Sequence, residues 1–175
     1  QIDSFEAIGG AGILLDIKSG EMLAVASLPD FNPNQFALAN DDMRFNRATK
    51  GLYEMGSTFK VLNTAIALES GAATTSQRFE VSKPMRVSRF TINDYHPHNK
   101  PLNVPEILIY SSNIGSARMA EAIGAETQRA FIDKLGLLDR LELEIPEISR
   151  PLSPKSWHRT TTVTVSYGHG ISISP

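Results

Sequence analysis

The stretch that most constrains the fold is an apolar run with helical spacing at residues 61–68. Its side chains leave little polar surface, and a helix that is apolar almost all round belongs in a protein core. Gly71 has the residue type at which such helices end. The sequence therefore predicts a buried helix here, around which the rest of the chain must pack.

Two reactive side chains stand at the start of this helix. Ser57 follows Gly56, and Lys60 comes three residues later. Residues three apart on a helix are neighbours, with Cβ atoms about 5–6 Å apart. An unprotonated lysine amine can therefore take the serine's proton and make it a nucleophile. Roughly one Ser-x-x-Lys pair is expected by chance in such a chain, so an alternative stays open in which Ser57 caps the helix and Lys60 extends into solvent.

Composition excludes several classes of protein. A length of 175 residues suits one domain, or one domain with a lobe, and the net charge is −2. Without a run of like charges the chain has no nucleic-acid or membrane footprint. It contains no cysteine, which excludes disulfides and thiolate chemistry. No apolar segment reaches the ~18 residues of a membrane span and no signal peptide opens the sequence, so any anchor is expected outside it.

Periodicity and turn residues predict a mixture of helices and short strands. A β-hairpin is expected from 11–17 and 21–27, with Lys18-Ser19-Gly20 in its turn. The residues Asn103-Val-Pro-Glu106 form a capping box that starts a further helix. The remaining expectations are partial helix at 36–47, short strands at 79–81, 85–87 and 89–92, helices at 114–123 and 126–135, irregular chain at 144–162, and a turn leading to a helix start in 167–175.

A polar triplet, Ser111-Ser112-Asn113, interrupts an apolar helical stretch. Polar groups in such a place cost burial energy unless they line a cavity. The Ser111 hydroxyl could pass a proton between Lys60 and a leaving group, and the Asn113 amide offers both a donor and an acceptor to a peptide backbone. The alternative is a polar turn between two core helices.

The Ser-x-x-Lys and Ser-x-Asn motifs together match the penicillin-recognising serine enzymes. Similarity to the class B penicillin-binding proteins covers most of the chain, and Ser-Ser-Asn is more like the division-type transpeptidases than the elongation-type ones. Met55 stands where many relatives have proline. The further segments that carry the resemblance are Gly12–Ser27, Phe31–Asn34, Asn46–Ala48, Tyr53–Lys60, Tyr110–Gly115 and Tyr167–Gly170.

This resemblance implies an α/β (α+β) fold of the penicillin-binding transpeptidase and serine β-lactamase type, with a helical lobe beside a sheet. It implies a peptidoglycan D,D-transpeptidase in which Ser57 attacks the penultimate D-Ala of a stem peptide. By motif, Lys60 is the base, Ser111 is the proton relay, and Asn113 positions the substrate and Lys60. The backbone N–H of Ser57 would supply half of the oxyanion hole. No metal and no cofactor are implied.

The resemblance also implies a cellular role. The reaction would cross-link stem peptides during septal cell-wall synthesis, and β-lactam antibiotics would trap the nucleophile. Division-machinery membrane proteins are the expected partners, and nucleic acid is not one. The expected location is the periplasmic side of the bacterial inner membrane.

A third motif of this family, Lys-Ser/Thr-Gly, follows Ser-x-Asn by a long interval. The only candidate here is Lys18-Ser19-Gly20, which precedes Ser57 and fits a hairpin turn, so we reject it. The interpretation is that residues 1–175 are a partial transpeptidase domain whose sheet is incomplete and whose isolated activity is poor or absent. Lys60 needs its pKa lowered by about 3 units from about 10.4 to act near pH 7, and the cation that normally helps is missing.

Two alternative functions remain open at this stage. A serine β-lactamase-like hydrolase needs a base that activates water, and no glutamate can be assigned to that task. A non-catalytic penicillin-binding sensor or scaffold would bind β-lactams without releasing D-Ala. Elsewhere, Asp94–His98 is too weak a pattern for a metal site. Arg47 and Glu54 are expected to form a structural ion pair, and Trp157 is expected to pack locally.

Overall fold

Two compact units make up the part of the chain, residues 2–175, that the computed structural model describes. The first comprises residues 2–53, 139–152 and 173–175, and the second comprises 54–138 and 153–172. The predicted nucleophile and both of its predicted partner motifs lie in the second unit. Within residues 2–175, every helix is too short or too polar to cross a lipid bilayer.

The first unit contains an antiparallel hairpin of β1 (Gly10–Leu15) and β2 (Met22–Leu28). Its turn is fixed by the Asp16 carboxylate, which accepts hydrogen bonds of 2.8 Å from the backbone N–H groups of Lys18 and Ser19. The predicted hairpin and its Lys-Ser-Gly turn are therefore observed. Most residues of both strands are exposed within this chain, so the hairpin is a thin ribbon rather than a core sheet.

The rest of the first unit is short helical turns and loops. A 3₁₀ segment at Pro33–Leu38 precedes α1 (Asp41–Arg44), as the prediction of partial helix required. Arg47 is nearly buried and donates a hydrogen bond of 2.5 Å to the carboxylate of Asp42. The predicted pairing of Arg47 with Glu54 is therefore wrong, since Arg47 finds its acid five residues upstream.

The second unit combines five helices with two small antiparallel sheets, which agrees with the predicted mixed fold. In the sheets β3 pairs with β6 and β4 pairs with β5. In chain order the elements are α2 (Phe59–Glu69), β3 (Arg78–Phe79), β4 (Met85–Val87), β5 (Phe90–Ile92), β6 (Leu102–Asn103), α3 (Val104–Ile109), α4 (Asn113–Ile123), α5 (Ala125–Lys134) and α6 (Arg159–Val165).

Helix α4 is the centre of the second unit and packs against α2, α3, α5 and α6. Its Ala117, Met119 and Ala120 have no solvent exposure. Gly115 permits the close approach of α3, because a Cβ atom there would lie 2.5 Å from Cγ1 of Ile107. The predicted capping box starts α3, so the short linker to α4 holds the Ser-x-Asn triplet at a defined place.

Helix α2 is buried on one face only, so the prediction of burial all round is wrong. Within the second unit the neighbouring helices cover a single side, and Val61 and Leu68 on the other side are exposed. The covered face carries two polar residues, Asn63 and Thr64, among its apolar ones. Lys60 lies on the same buried face.

Two expectations for the C-terminal third are also wrong. Residues 159–165 lie largely in the segment expected to be irregular, yet they form α6. Their β-branched composition disfavours a helix, but burial against α4 and α5 overrides that preference. The last residues do not begin a helix: they form a turn with Gly168 and Gly170 at positive φ, and Ile173 then bridges to Tyr53.

Candidate active site

Ser57 lies in the 3₁₀ turn Gly56–Thr58 that leads directly into α2. Its side chain is exposed and provides no cap, because the N-cap residue of α2 is Thr58 and makes no side-chain capping bond. Lys60, in the first turn of α2, is 2% exposed. The alternative in which Ser57 caps the helix and Lys60 reaches solvent is therefore wrong.

The lysine amine joins both predicted serines. Nζ of Lys60 donates hydrogen bonds of 2.9 Å to Oγ of Ser57, to Oγ of Ser111 and to the backbone oxygen of Ser111. Oγ of Ser111 donates in turn to Oγ of Ser57 at 3.2 Å. Residues separated by 54 positions in sequence therefore form a closed triangle of two hydroxyls and one amine.

This triangle accommodates both protonation states of the amine. The three N–H groups of an ammonium match the three oxygen acceptors around Lys60. In a neutral amine one N–H must still point at the carbonyl of Ser111, which can only accept. The second N–H then serves Ser111 Oγ, whose proton points at Ser57 Oγ. The proton of Ser57 is left facing the lone pair of Lys60, which is the orientation a general base requires.

Ser111 adopts a left-handed backbone conformation, with φ at +52°. A non-glycine residue in this region carries a cost of about 1–3 kcal/mol, which persists only where the surroundings impose it. The conformation lets the carbonyl and hydroxyl of one residue face the same amine. Sequence reasoning assigned only the hydroxyl, because a Ser-x-Asn pattern gives no sign of the backbone angle.

Asp94 fixes the chain on the other side of Ser111, a role that the sequence did not reveal. Its carboxylate accepts from Oγ of Ser112 at 2.6 Å and from the backbone N–H of Ile114 at 2.9 Å. A carboxylate at a helix N-terminus also interacts favourably with the helix dipole. The nearly buried carboxylate of Asp94 therefore holds the Ser-Ser-Asn triplet at the start of α4.

Burial lowers the pKa of Lys60 below the ordinary value of 10.5, because desolvation penalises the ammonium. The negative charge of Asp94 acts in the opposite direction and raises it. The desolvation effect is the larger of the two. The amine is therefore shifted toward the neutral form that a base needs.

Asn113 is placed differently from its predicted partners. Its Nδ2 donates a hydrogen bond of 3.2 Å to the backbone oxygen of Asn93, and its side chain is half-buried. Among the hydrogen bonds of residues 2–175, none joins Asn113 to Lys60 directly. Its predicted contact with substrate stays a prediction.

The residues just before Ser57, the predicted nucleophile, are held by the turn at 167–170. The Glu54 carboxylate accepts from the backbone N–H of Gly170 at 2.6 Å and lies 2.8 Å from Nδ1 of His169. These bonds lower the pKa of Glu54, with His169 contributing most. The backbone N–H of Gly56 donates to the carbonyl of Gly168 at 3.2 Å. This turn therefore acts as a clamp on the Ser57 turn, which the sequence did not predict.

The Asp94–His98 loop also bears on the question of metal binding. In the part of the chain that the structure describes, no three His, Asp or Glu side chains converge to hold a metal ion. His96 instead packs edge-on against Tyr95, and the ring of His98 packs against Tyr110. Asp94 is engaged by Ser112 and Ile114, as described above.

Comparison with known proteins gives a consistent result. The profile of a family described as "Penicillin binding protein transpeptidase domain" matches residues 10–175. A relative from Caulobacter vibrioides, named "Probable peptidoglycan D,D-transpeptidase FtsI", is 40% identical over 173 residues, which cover 99% of this chain and 29% of that protein. The chain thus spans less than a third of this curated relative.

Solved structures give the same picture. A peptidoglycan glycosyltransferase from Burkholderia ambifaria superposes with a TM-score of 0.85 at 27% identity, covering 99% of this chain and 51% of that one. The transpeptidase (TP) domain of penicillin-binding protein 3 from Burkholderia pseudomallei gives 0.84 at 26% identity, covering 99% and 48%. The fold expected from the resemblance is confirmed.

Proposed function

This chain belongs to the penicillin-binding protein transpeptidase domain family, and from that premise we propose that it carries the acylation machinery of a serine peptidoglycan D,D-transpeptidase. The resemblance to class B penicillin-binding proteins of the division type is confirmed. The observation that carries the proposal is the buried amine of Lys60, held 2.9 Å from the exposed hydroxyl of Ser57.

In the proposed reaction, Ser57 transfers its proton to neutral Lys60 as Oγ attacks the carbonyl carbon of the penultimate D-Ala. The negative charge that develops on the carbonyl oxygen is stabilised by backbone N–H groups, that of Ser57 among them. The proton then passes from Lys60 through Ser111 to the amine of the terminal D-Ala. The C–N bond breaks, D-Ala leaves, and an acyl-enzyme remains on Ser57.

The second half of the reaction uses the same groups in reverse. The amine of a neighbouring stem peptide attacks the ester carbonyl carbon and forms the new C–N bond, while its proton passes through Ser111 to Lys60. The C–Oγ bond then breaks, and Lys60 returns the proton to Oγ of Ser57. A β-lactam would also form an ester with Oγ of Ser57, but its leaving nitrogen stays attached to the acyl group and does not diffuse away. Asn113 would hold the peptide backbone, because only one of its N–H groups is engaged within the described residues.

We also propose that these residues form part of a larger transpeptidase domain. In the described chain the lowering of the Lys60 pKa comes from burial, and the charge that acts on it is the acidic Asp94. A Lys-Ser/Thr-Gly strand elsewhere in the gene product would add the missing cation and the second oxyanion donor. Lys18 lies in the hairpin turn of the first unit, and the proposal gives it no part in the reaction.

The cellular role is also proposed from the membership of this chain in the transpeptidase family. Substrates would be peptidoglycan stem peptides, and the protein would be a target of β-lactams. The work would be done at the division site, on the periplasmic side of the inner membrane, beside division-machinery membrane proteins. The anchor would lie outside residues 1–175.

The test is labelling by a fluorescent penicillin, combined with mass spectrometry, on the full gene product that carries this sequence. We expect one adduct per molecule, located on Ser57 and abolished in Ser57→Ala. Ser76→Ala removes another exposed hydroxyl and serves as the matched control, which should label normally. Release of D-Ala from a stem-peptide substrate should require Ser57 as well.

Three outcomes would contradict the proposal. An adduct on another residue would remove Ser57 as nucleophile. Labelling without D-Ala release would indicate a sensor or scaffold. Loss of the adduct within minutes would indicate a β-lactamase-like hydrolase. The isolated 175-residue chain, tested beside the gene product, should label slowly or not at all.

A further inference from the structure

A second link joins the nucleophile helix to the Ser-x-Asn helix, one turn below the catalytic triangle. Nδ2 of Asn63 donates hydrogen bonds to the backbone oxygen of Ser116 at 3.0 Å and to its Oγ at 3.1 Å. Asn63 follows Lys60 by three residues on α2, and Ser116 follows Ser111 by five. Asn63 is 2% exposed and Ser116 has no exposure, so this link is inside the core.

The same link is part of a buried polar network that reaches α5 and α6. Oγ of Ser116 donates to the carbonyl of Ser166 at 2.7 Å. Nε2 of Gln128 donates to the carbonyl of Thr162 at 3.0 Å and, more weakly, to Oδ1 of Asn63 at 3.4 Å. Nε1 of Trp157 completes the chain by donating to Oε1 of Gln128 at 3.0 Å. Both ends of the Asn63 amide are therefore engaged.

An amide at this place is costly, which argues for a specific role. A buried polar side chain contributes nothing over an apolar one unless its hydrogen bonds are made, and a satisfied network then favours one packing arrangement. The neighbouring Thr64 shows the contrast: its Oγ1 is buried and has no hydrogen-bond partner among residues 2–175. Asn63 and Thr64 thus differ in hydrogen bonding although both are buried residues of α2.

We propose that Asn63 is a positioning residue for acyl transfer, which fixes the spacing of α2 and α4 so that Lys60 meets both the carbonyl and the hydroxyl of Ser111. This inference rests on the proposed function. The side-chain hydrogen bonds of Asn63 go to Ser116 and Gln128 and not to Ser57, so it would act through the placement of Lys60 and Ser111. Its two bonds to one residue of α4 set both the distance and the register of the helix pair.

The geometry explains why such a link matters. Ser111 immediately precedes the Ser112 cap of α4, and Lys60 sits one turn before Asn63 on α2. Any slide or separation of the two helices therefore moves Ser111 away from Lys60. A displacement on the order of 1 Å between reacting groups costs about 10²-fold in rate. Separation would also admit water to the amine.

The experiment compares three variants of the full gene product. Asn63→Ala removes both bonds to Ser116. Ser116→Ala removes the Oγ acceptor of Asn63 and the hydrogen bond from Oγ to the carbonyl of Ser166, but it leaves the backbone oxygen of residue 116 as an acceptor. Thr64→Val is the matched control, because it removes a buried hydroxyl that has no partner. The measurements are the penicillin acylation rate constant per folded molecule, its pH dependence from 6 to 10, and the thermal unfolding temperature.

We expect Asn63→Ala to acylate about 10–100-fold more slowly per folded molecule, Ser116→Ala to lose less, and Thr64→Val to stay within about twofold. The ascending limb of the pH profile should move to higher pH in Asn63→Ala, because water reaching Lys60 raises the pKa of its amine. The charged group already shown to act on Lys60, Asp94, is unchanged in all three variants. A merely structural role would lower the folded fraction without moving this limb.

Unchanged rate constants and superimposable pH profiles in Asn63→Ala would overturn the inference. If Asn63→Ala does not fold, Ser116→Ala decides, and it must show a slower rate and the same direction of pH shift. The proposed function is judged separately by the unsubstituted protein. If that protein is not acylated on Ser57, the function fails; if it is acylated and the Asn63 and Ser116 variants match it, only the positioning role fails.

Discussion

The backbone oxygen and the hydroxyl of Ser111 both lie 2.9 Å from the Nζ atom of Lys60. Ser111 thus supplies the amine with a carbonyl that can only accept a hydrogen bond and a hydroxyl that can either accept or donate one. The carbonyl orients the amine in both protonation states, whereas the hydroxyl can accept or donate as the proton moves. The proposed base, Lys60, and the proposed relay, Ser111, are therefore held together where α2 meets the residues just before α4.

The first prediction concerns the pH dependence of stability at Lys60. Burial lowers the folded-state pKa of this amine below 10.5, so between the lowered value and the ordinary one the unfolded chain binds more protons. Stability relative to Lys60→Met should therefore rise with pH through this window and level off above it. Each unit of pKa lowering is worth about 1.4 kcal/mol.

Urea unfolding of both proteins from pH 7 to 11 measures this difference. A stability difference that does not depend on pH would contradict the burial argument. Lys60→Met should also acylate about 10²–10⁴-fold more slowly, the usual contribution of a general base, and that loss is read from the penicillin-labelling rate.

The second prediction concerns Asp94→Asn. This change removes the negative charge that raises the pKa of Lys60, so the ascending limb of the acylation profile should move to lower pH. It also weakens the anchors to Ser112 and Ile114, at a cost of about 1–3 kcal/mol. Acylation rates across pH and thermal unfolding provide the two readouts. Asp133→Asn, at an exposed position, is the control. A shift of the ascending limb to higher pH in Asp94→Asn would contradict the prediction.

The third prediction concerns Gly168→Ala. The residue has φ at +81°, and an added Cβ would lie 2.0 Å from the carbonyl oxygen of Gly56, which is backbone and cannot rotate away. Gly136→Ala is the matched control, since its φ is +74° and nothing lies within 4 Å of the added atom. The control should lose only the about 1–3 kcal/mol of a strained backbone.

Gly168→Ala should lose clearly more stability than Gly136→Ala and should also slow labelling, because Gly56 precedes Ser57. Differential scanning calorimetry and the labelling rate measure the two effects. Equal losses in both variants would mean that the 167–170 turn does not constrain the nucleophile.

The fourth prediction concerns Glu54→Gln. The hydrogen bonds from His169 and Gly170 lower the pKa of Glu54 from its ordinary 4.5, so the stability it contributes is present above that pH. It should be lost as pH falls through the lowered value. The stability advantage over Glu54→Gln should therefore be constant near neutrality and shrink below pH ~4.5. Thermal unfolding between pH 3 and 7 follows it, and an advantage that grows toward acid would contradict the assignment.

Contacts between residues close in sequence were predictable, whereas contacts between distant residues were less so. The contact of Ser57 with Lys60 follows from helical spacing, and the capping box of α3 follows from four consecutive residues. The place of Ser111 beside Lys60 came from the family resemblance, because no local rule links positions 51 residues apart. The left-handed backbone of Ser111 had no sequence signal at all.

Other failures have physical reasons that a single sequence hides. Helix α6 is rich in β-branched residues, and only its burial makes it helical. Arg47 and Glu54 each found another partner, Asp42 and His169, the second of which is 115 residues away. The sequence did contain a sign of the role proposed for Asn63, because two adjacent polar residues, Asn63 and Thr64, interrupt an otherwise apolar helix.

The strained backbone of Ser111 has a consequence for drug escape under the proposed function. The proposed activation of Ser57 depends on a conformation that the surrounding fold must enforce. Mutations that let Ser111 adopt an unstrained conformation would therefore lower the rate of acylation by penicillin and by the natural substrate alike. Resistance at this site would therefore carry a growth penalty, and surviving variants should change residues that meet the drug while leaving the helix pair intact.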